Sequence, residues 1–358
     1  MSSRRRDFLK ASGLSAGGLI IGVSLPGSLL GSSHGADFQP NAFVYIAENG
    51  DTTIWCGRCE MGQGISTALP AAVADELEAD WARVKILQGD ANEKYGPQAT
   101  GGSNSINQML EPMRKAGAAG REMLVAAAAQ SWNLPADKCY AKLHVVYNKV
   151  DDRSLPYGEL VGPASKIPQP DAPVLKSRDQ FRYIGKPLQR HDQGDMVVGA
   201  RTYGADAKVP GVKYAAISHV PVLGGTVKSF DKEAAMAMPG VVDVVLIPRF
   251  EKPYGSVGGV AVVADNTWSA QQALQKLNIE FEAGDNGSYN TEEYKQQLVK
   301  NVEAPAKKEF EKGSLEQAFE QAKVRHKATY VGGHLSHSPM EPMASLVWVQ
   351  DDKCEIWA

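Results

Sequence analysis

The sequence predicts an α+β fold divided into more than one domain. Its 35 glycines and 20 prolines favour a loop-rich chain over a helical bundle. Strand-like and helix-like stretches alternate along the chain, and two strand–helix–strand units in its second half are typical of a small α+β domain. With 358 residues, the chain is long enough for two or three domains with separate hydrophobic cores.

The charge composition argues against a nucleic-acid partner. The formal net charge is −3, and charges of one sign form no long run. Binding to a phosphate backbone needs a basic excess or a basic patch. We therefore expect no nucleic-acid binding.

The first residues have the layout of a twin-arginine export signal. A basic start at residues 4–10, with Arg-Arg-x-Phe-Leu-Lys beginning at Arg5, precedes an apolar stretch at residues 11–30. Glycine, serine and proline interrupt this stretch, which makes it too weak for a membrane span of about 20 apolar residues. We expect residues 1–36 to be a signal and the protein to be exported to the periplasm.

Cleavage of this signal is expected near Ala36, where His34-Gly35-Ala36 is a poor Ala-x-Ala site. A membrane-anchored form with an uncleaved signal is the alternative. The twin-arginine route carries folded proteins, often with a cofactor already inserted. The signal therefore favours a complex cofactor that is assembled in the cytoplasm and used outside it.

In the first half of the chain, residues 41–56 predict a β-hairpin because Asn49-Gly50 separates two short apolar runs. A helix is expected at residues 66–79, with Ser66-Thr67 as its N-cap, followed by a strand at residues 84–87. Residues 106–132 predict a long helix with one broad apolar face, kinked or interrupted at Pro112. Strand signals return at residues 140–147.

In the second half, the proline-rich, polar residues 161–180 predict a domain linker. The small domain beyond it has strands expected at residues 214–219, 226–229, 241–247, 257–264 and 278–282, and helices at residues 231–238 and 267–277. Residues 295–312 are charged and expected to be exposed. Two further strands are expected at residues 328–331 and 344–349.

Two glycine motifs are the strongest functional signal. Glu60-Met61-Gly62-Gln63-Gly64 and Thr100-Gly101-Gly102-Ser103 predict two loops whose backbone N–H groups approach a large anionic ligand. Gln63 can donate and accept through its amide, and a loop that leads into a helix N-terminus suits a phosphate. The competing interpretation is a strand, a turn and a capped helix without a ligand, since short glycine motifs often match by chance.

Cys56 and Cys59 form a Cys-x-x-Cys pair that resembles a dithiol redox motif. In such a motif the helix begins at the cysteines, whereas residues 60–64 intervene here. A structural disulfide or two free thiols are favoured over a catalytic dithiol. A periplasmic thiol–disulfide protein is kept as an alternative function. The spacing of the four cysteines excludes an iron–sulfur cluster held by this chain.

Three other polar residues have functional alternatives. His334 and His337, beside Glu341, have a spacing that permits a metal site, but polar loop histidines are favoured because no helix or strand fixes them. Arg121 would meet a phosphate or lie on a solvated helix face, and the solvated face is favoured. No metal site is therefore predicted from the residues themselves.

The set of motifs resembles the large, molybdopterin-binding subunit of the xanthine dehydrogenase and aldehyde oxidase family, most closely the branch of isoquinoline 1-oxidoreductase beta subunits. The matching segments run in order over nearly the whole chain after the signal. They are residues 60–64, 100–103, 118–124, 154–160, 183–187, 238–241 and 338–343.

The resemblance implies an order of domains and a cofactor. The implied domains are the signal at residues 1–36, a first molybdopterin-binding part at 37–160, the linker at 161–180, an a/b hammerhead domain at 181–285, a connecting segment at 286–325 and the start of the remaining cofactor-binding region at 326–358. The implied cofactor is a molybdenum-pyranopterin dinucleotide, in its cytosine form. The residues implied to hold it are Gly62, Gln63, Gly64, Thr100, Gly101, Gly102 and Ser103.

The resemblance also implies an activity and partners. Such subunits hydroxylate an N-heterocycle or an aldehyde with oxygen from water, and pass electrons to a 2Fe–2S small subunit and on to an acceptor such as a cytochrome. The family's general-base glutamate is expected beyond Ala358, so no catalytic residue is assigned here. We expect the N-terminal part of such a subunit, which does not turn over alone. The alternatives are a non-catalytic truncated product and a piece completed by a separately encoded C-terminal portion.

Overall fold

The computed structural model describes residues 19–23, 41–250, 255–336 and 338–358. The chain divides into two compact units, Met1–Thr202 and Tyr203–Ala358. Within the described residues, no helix is both long enough and apolar enough to cross a membrane. Most of the predicted signal lies outside the described residues, and its segment Leu19–Val23 forms a strand.

A four-stranded sheet organises the first unit. Its strands, in order across the sheet, are β1 (Leu19–Val23), β2 (Asn41–Ile46), β3 (Thr52–Cys56) and β4 (Val84–Gln88). Neighbours from β1 to β3 are antiparallel, whereas β3 and β4 are parallel. A parallel pair needs a crossover connection, and helix α1 (Ile65–Leu77) lies in that connection.

Helix α2 (Asn104–Trp132) packs on α1, and both contribute to one core with the sheet. Gly117 marks the closest approach of the two helices, because a Cβ added there would lie 2.4 Å from the Val73 carbonyl oxygen. The predicted long helix is confirmed over most of its length. Pro112 lies inside α2, which continues through it as one helix.

The predicted strand at residues 140–147 is two strands. β5 (Cys139–Lys142) and β6 (Val145–Asn148) form a meander with β7 (Ser154–Pro156), and the turn between β5 and β6 places Leu143 and His144 at positive φ. His144 is fully buried. Its Nδ1 accepts from the Asp80 N–H at 2.7 Å, and its Nε2 lies 2.8 Å from Thr52 Oγ1. Burial lowers the pKa of His144 to about 4, so the ring is neutral at pH 7 and has a structural role.

The segment predicted as a linker is packed into the first unit. Helix α3 (Tyr157–Ala164) extends into it, and the unit ends only after the short helix α4 (Gln193–Val197). Buried Asp75 on α1 accepts backbone N–H groups of Arg182, Tyr183 and Ile184 at 2.9–3.2 Å. The Lys176 ammonium also contacts Asp75, at 3.0 Å. A buried carboxylate needs such donors, and Lys176 of the proline-rich segment supplies one while the residues just after the segment supply the others.

The second unit contains the two predicted strand–helix–strand units. The first is β9 (Thr226–Ser229), α5 (Lys232–Met236) and β10 (Val241–Arg249). The second is β11 (Val257–Ala264), α6 (Thr267–Leu274) and β12 (Glu280–Glu282). β8 (Tyr214–His219) joins an antiparallel sheet of order β10-β11-β8, and β12 pairs with β9. Its core includes Val244, Val260, Val262, Ala273 and Leu277.

The remainder of the second unit is more open. Helices α7 (Thr291–Glu303) and α8 (Leu315–Gln321) contain no buried residue among those described, and the exposure predicted for residues 295–312 is confirmed. β13 (Leu346–Val349) and β14 (Cys354–Trp357) form a hairpin. The strand predicted at residues 328–331 is wrong, because this stretch is exposed and unpaired in the described structure. The α+β class is confirmed.

Candidate functional site

The structure brings the two glycine motifs together at one end of the first unit. The first motif connects β3 to α1, and the second leads directly into α2. The Cys59 N–H donates to Thr100 Oγ1 at 3.1 Å, which fixes the start of one loop against the start of the other. The loops therefore lie side by side at the N-termini of two packed helices, where helix N–H groups and dipoles favour an anion.

The glycines leave the backbone of both loops open. A Cβ added at Gly62, Gly64 or Gly101 would meet no atom of the described chain within 4 Å. Gly62 and Gly64 have φ of 95° and 84°, so both the turn and the open surface suit glycine. Gly102, with φ of 58°, and Ser103 are exposed beside them. This exposed backbone is what a large ligand needs for close approach.

Glu60 organises the first loop, a role that the sequence prediction missed. Its Oε1 accepts the Gly62 and Gly64 N–H groups at 2.8 and 2.9 Å. Its Oε2 accepts the Ser66 N–H at 3.0 Å and the Ser66 hydroxyl at 2.7 Å. Gly64 is the N-cap of α1, so the predicted Ser66-Thr67 cap is wrong, because the Ser66 hydroxyl binds Glu60 instead.

These hydrogen bonds set the charge of Glu60. Burial alone would raise the pKa of this carboxyl, but the Ser66 hydroxyl and the N–H groups of Gly64, Ser66 and Gly62 outweigh it and lower the pKa. Glu60 is therefore ionised at neutral pH. The chain's own carboxylate already occupies the N-terminus of α1, where the sequence suggested a phosphate.

Gln63 is engaged by its own loop. Its Oε1 accepts the Met61 N–H at 2.6 Å, and its Nε2 donates to the Cys59 carbonyl at 3.0 Å. The side chain is exposed but both ends of the amide have partners. Gln63 therefore fixes the shape of the glycine loop, and its assignment as a ligand contact stays a prediction.

A second set of polar residues, from residues 190–201, borders the first loop. Arg190 Nη1 donates to the Gly62 carbonyl at 3.1 Å, and its Nη2 lies 3.5 Å from Glu60 Oε1. Asp192 accepts from both Arg190 and Arg201, at 3.0 and 2.7 Å. Sequence reasoning missed these residues because they lie more than a hundred positions from the motif, and the polar run before α4 was their only signal.

Arg58 lies beneath the two loops. The residue is 1% exposed and is among the largest fully buried side chains. Its Nη1 donates to the Ala99 carbonyl, and its Nη2 donates to Gln108 Oε1 at 2.5 Å. These bonds join the segment before the first motif to the segments on both sides of the second. Nε is buried and has no hydrogen-bond partner in the described part of the chain.

The cysteines do not have the environment of a catalytic dithiol. All four are free in this structure, which corresponds to the two free thiols that the sequence left open beside a structural disulfide. Burial raises the pKa of the Cys56 thiol to about 11, whereas a redox-active thiol needs a lowered pKa. Helix α1 begins at Ile65, too far along the chain to activate Cys56 or Cys59.

Arg121 and His334 have structural surroundings. Arg121 donates to the Glu76 carbonyl at 2.7 Å and pairs with the buried Glu76 carboxylate at 3.2 Å, so the solvated helix face was the wrong prediction. His334 Nε2 lies 2.5 Å from the Tyr289 hydroxyl. His337 lies outside the described residues, and Glu341 is exposed. The described residues hold no cluster of three possible metal ligands.

Comparison with known proteins places the chain in a family. A sequence profile described as "Molybdopterin cofactor-binding domain" matches residues 3–212, more than half of the chain. The chain is 30% identical to isoquinoline 1-oxidoreductase subunit beta of Brevundimonas diminuta, over 90% of this chain and 46% of that protein. It is 32% identical to a membrane-bound aldehyde dehydrogenase (pyrroloquinoline-quinone) of Gluconacetobacter polyoxogenes, over 100% of this chain and 48% of that protein.

The chain thus spans about half the length of these curated relatives. Among solved structures, quinoline 2-oxidoreductase from Pseudomonas putida 86 overlaps 27% of this chain and 16% of that chain, at 21% identity and a TM-score of 0.21. An overlap of this size carries no argument about function.

Proposed function

The chain belongs to the molybdopterin cofactor-binding family, and we propose that its first unit holds the pyranopterin or the nucleotide tail of a molybdenum-pyranopterin dinucleotide on the two glycine loops. The observation that carries this proposal is the hydrogen bond from Cys59 to Thr100, which sets both open loops side by side. Their uncovered glycine backbone fits a large, phosphate-bearing ligand.

The residues of the chain would bind and orient this group. Exposed N–H groups at the start of α2 are donors for phosphate oxygens, whereas Glu60 and Gln63 already accept the Gly62, Gly64 and Met61 N–H groups of the first loop. Glu60 and Gln63 hold the first loop in shape through hydrogen bonds inside it. When bound, the cofactor supplies the redox chemistry of the molybdenum centre, and the protein supplies its position and electrostatic surroundings.

The proposed activity is that of a subunit of a molybdenum hydroxylase acting on an N-heterocycle or an aldehyde. It is supported by the similarity to the isoquinoline 1-oxidoreductase subunit. A 2Fe–2S small subunit is the proposed electron-transfer partner, with a cytochrome as acceptor, and the cytosine form is the proposed dinucleotide. Twin-arginine export is also proposed. Cell fractionation of the wild type against an Arg5→Lys, Arg6→Lys variant tests it, and equal export of the two would refute it.

Gly101→Ala tests where the cofactor lies. Gly101 is not at positive φ, and the added methyl group meets no described protein atom within 4 Å, so the apoprotein should keep its stability. A ligand on the loop would meet the methyl group, and overlap of this kind costs about 1–3 kcal/mol. We expect molybdenum and pterin per chain to fall by about tenfold after expression in a host that makes the dinucleotide.

Gly162→Ala is the matched control. Gly162 lies in α3, is exposed, and likewise has open space around an added Cβ in the described structure. Its cofactor content should equal that of the wild type. If Gly101→Ala keeps the wild-type content of molybdenum and pterin, the cofactor does not bind on the glycine loops. Wild-type protein with pyrroloquinoline quinone instead of molybdenum would follow the name of the Gluconacetobacter relative and refute the proposed cofactor.

A further inference from the structure

Arg58 is a buried cation without a buried anion. In the described part of the chain, no carboxylate forms an ion pair with its guanidinium group, although buried Asp75 and Glu76 elsewhere in the first unit both have cationic partners. The groups that influence its pKa through charge are the Cys56 and Cys59 thiols. With its pKa raised to about 11, the Cys56 thiol is neutral at pH 7 and provides no counter-charge.

Such an arrangement is costly for the protein alone. A buried ion that lacks an opposite charge keeps its desolvation penalty, and burial lowers the pKa of Arg58 accordingly. Arginine nevertheless stays protonated in proteins, so the positive charge persists. Its hydrogen bonds go to the neutral acceptors Ala99 and Gln108, and Nε has none among the described residues. The structure of the chain by itself does not account for this charge.

The position of Arg58 next to the two loops explains why a positive charge is buried there. It immediately precedes Cys59, whose N–H joins the two loops, and its own donors reach the residue before Thr100 and a residue in the first turns of α2. Glu60 neutralises the N-terminus of α1, so an anion placed on the loops needs a different positive group. Arg190 also contacts the first loop but pairs with Asp192, whereas Arg58 is hydrogen-bonded to segments on both sides of the second motif and has no carboxylate partner in the described chain.

We propose that Arg58 is the buried counter-charge for a phosphate-bearing anion seated on the two glycine loops, and that it positions the loops for that anion without contacting it. The inference rests on the proposed function for the identity of the ligand as the molybdenum-pyranopterin dinucleotide. It assigns a role to a residue outside the motifs. The bound anion would supply the negative charge that balances the positive charge of Arg58.

The test uses Arg58→Met and Arg58→Lys in the full chain. Methionine keeps much of the volume and removes the charge, and its effect on the apoprotein should be small or favourable, with an unchanged melting temperature or a rise of up to about 4 °C. Ala99 is exposed and Gln108 is partly exposed, so water can replace the lost donors. Binding of inorganic pyrophosphate and retention of molybdenum should both weaken by about tenfold.

Arg58→Lys keeps the charge and should keep most of the pyrophosphate affinity and cofactor content. Arg114→Met is the matched control. Arg114 also donates to a backbone carbonyl, at 2.7 Å, but it pairs with buried Glu76 at 2.6 Å. Its loss should lower the melting temperature and leave pyrophosphate affinity unchanged. In Arg58→Met, the melting temperature should stay constant or rise while the pyrophosphate affinity falls. Loss of an arginine with only a structural role would lower the melting temperature.

Two results would overturn the inference. One is a fall in melting temperature in Arg58→Met as large as that in Arg114→Met, with equal losses in Arg58→Lys, which would make Arg58 a structural link. The other is unchanged pyrophosphate binding and unchanged cofactor content in Arg58→Met. If wild-type protein binds pyrophosphate in an Arg58-dependent way but holds no molybdenum, the proposed cofactor fails and the anion site stands.

Discussion

At the scale of single residues, Glu60 decides the shape of the first glycine loop. Four donors converge on one carboxylate, and three of them are backbone N–H groups, of Gly62 in the loop, of the N-cap Gly64 and of Ser66 in the first turn of α1. The N-terminus of a helix leaves such groups unpaired, and a carboxylate satisfies both their hydrogen bonds and the helix dipole. A loop held in this way is pre-formed before any ligand arrives.

Glu60→Gln should therefore destabilise the first unit. The amide has one acceptor oxygen and no charge, so at least one N–H group loses its partner, and we expect a loss of about 1–3 kcal/mol at pH 7. The pKa of Glu60 is lowered in the folded state, so its contribution is present above the ordinary value of 4.5 and is lost as pH falls below it.

Urea unfolding at several pH values measures both effects. The difference between wild type and Glu60→Gln should shrink as pH falls through the acid range. Glu111→Gln is the control, because Glu111 is 67% exposed in an ion pair with Lys115 on α2 and such pairs contribute little. A difference that stays constant with pH would show that the charge of Glu60 does not stabilise the loop.

At the scale of elements, the close crossing of α1 and α2 holds the two loops at one end of the unit. The helices approach closely because Gly117 has no side chain where the Val73 backbone passes. The buried Glu76 of α1 is joined by ion pairs to Arg114 and Arg121 of α2. The close approach at Gly117 fixes how the two helices cross, and the ion pairs of Glu76 stabilise this packing at the C-terminal end of α1.

Gly117→Ala should separate the helices. The added Cβ would lie 2.4 Å from a backbone oxygen that cannot move by side-chain rotation, so we expect a loss of about 1–3 kcal/mol in unfolding free energy. Gly162→Ala, in helix α3 with open space in the described structure, should be neutral or stabilising by about 0.4–1 kcal/mol. Chemical denaturation compares them, and equal effects would contradict a tight crossing.

At the scale of the whole molecule, each unit has a core of its own. The first core combines α1, α2 and strands β2–β4 with smaller contributions from β5, β6 and α3, and the second lies between the β10-β11-β8 sheet and its helices. The candidate site belongs entirely to the first unit. Changes in the second core should therefore leave the glycine loops intact.

Val262→Ala tests this separation. Val262 is fully buried in β11, and its truncation should cost on the order of 2 kcal/mol in the second unit. Hydrogen exchange measured by mass spectrometry should show faster exchange in peptides from residues 214–282 and unchanged exchange in residues 41–164. Faster exchange throughout both ranges would show that the two units unfold together.

The family and most elements could be predicted from the sequence. The glycine motifs, the Asn49-Gly50 hairpin and the alternating strands and helices of the second unit are local patterns, with causes in neighbouring residues. The exposed stretch at residues 328–331 was misread because strand composition alone does not supply a pairing strand. The first unit extends beyond the predicted linker because Lys176 and residues 182–184 are held by contacts with α1, about a hundred positions away.

The amino-acid sequence by itself determined the α+β class, the molybdopterin-binding family and the two loop motifs. Only the tertiary structure decided that Cys59 meets Thr100, that Glu60 caps α1, and that Arg58 is buried without an opposite charge in the described chain. The physical reason is that the residues of a short motif are determined by the conformation of the backbone in and next to the motif. Hydrogen bonds and desolvation between distant segments depend on how the helices and the sheet pack.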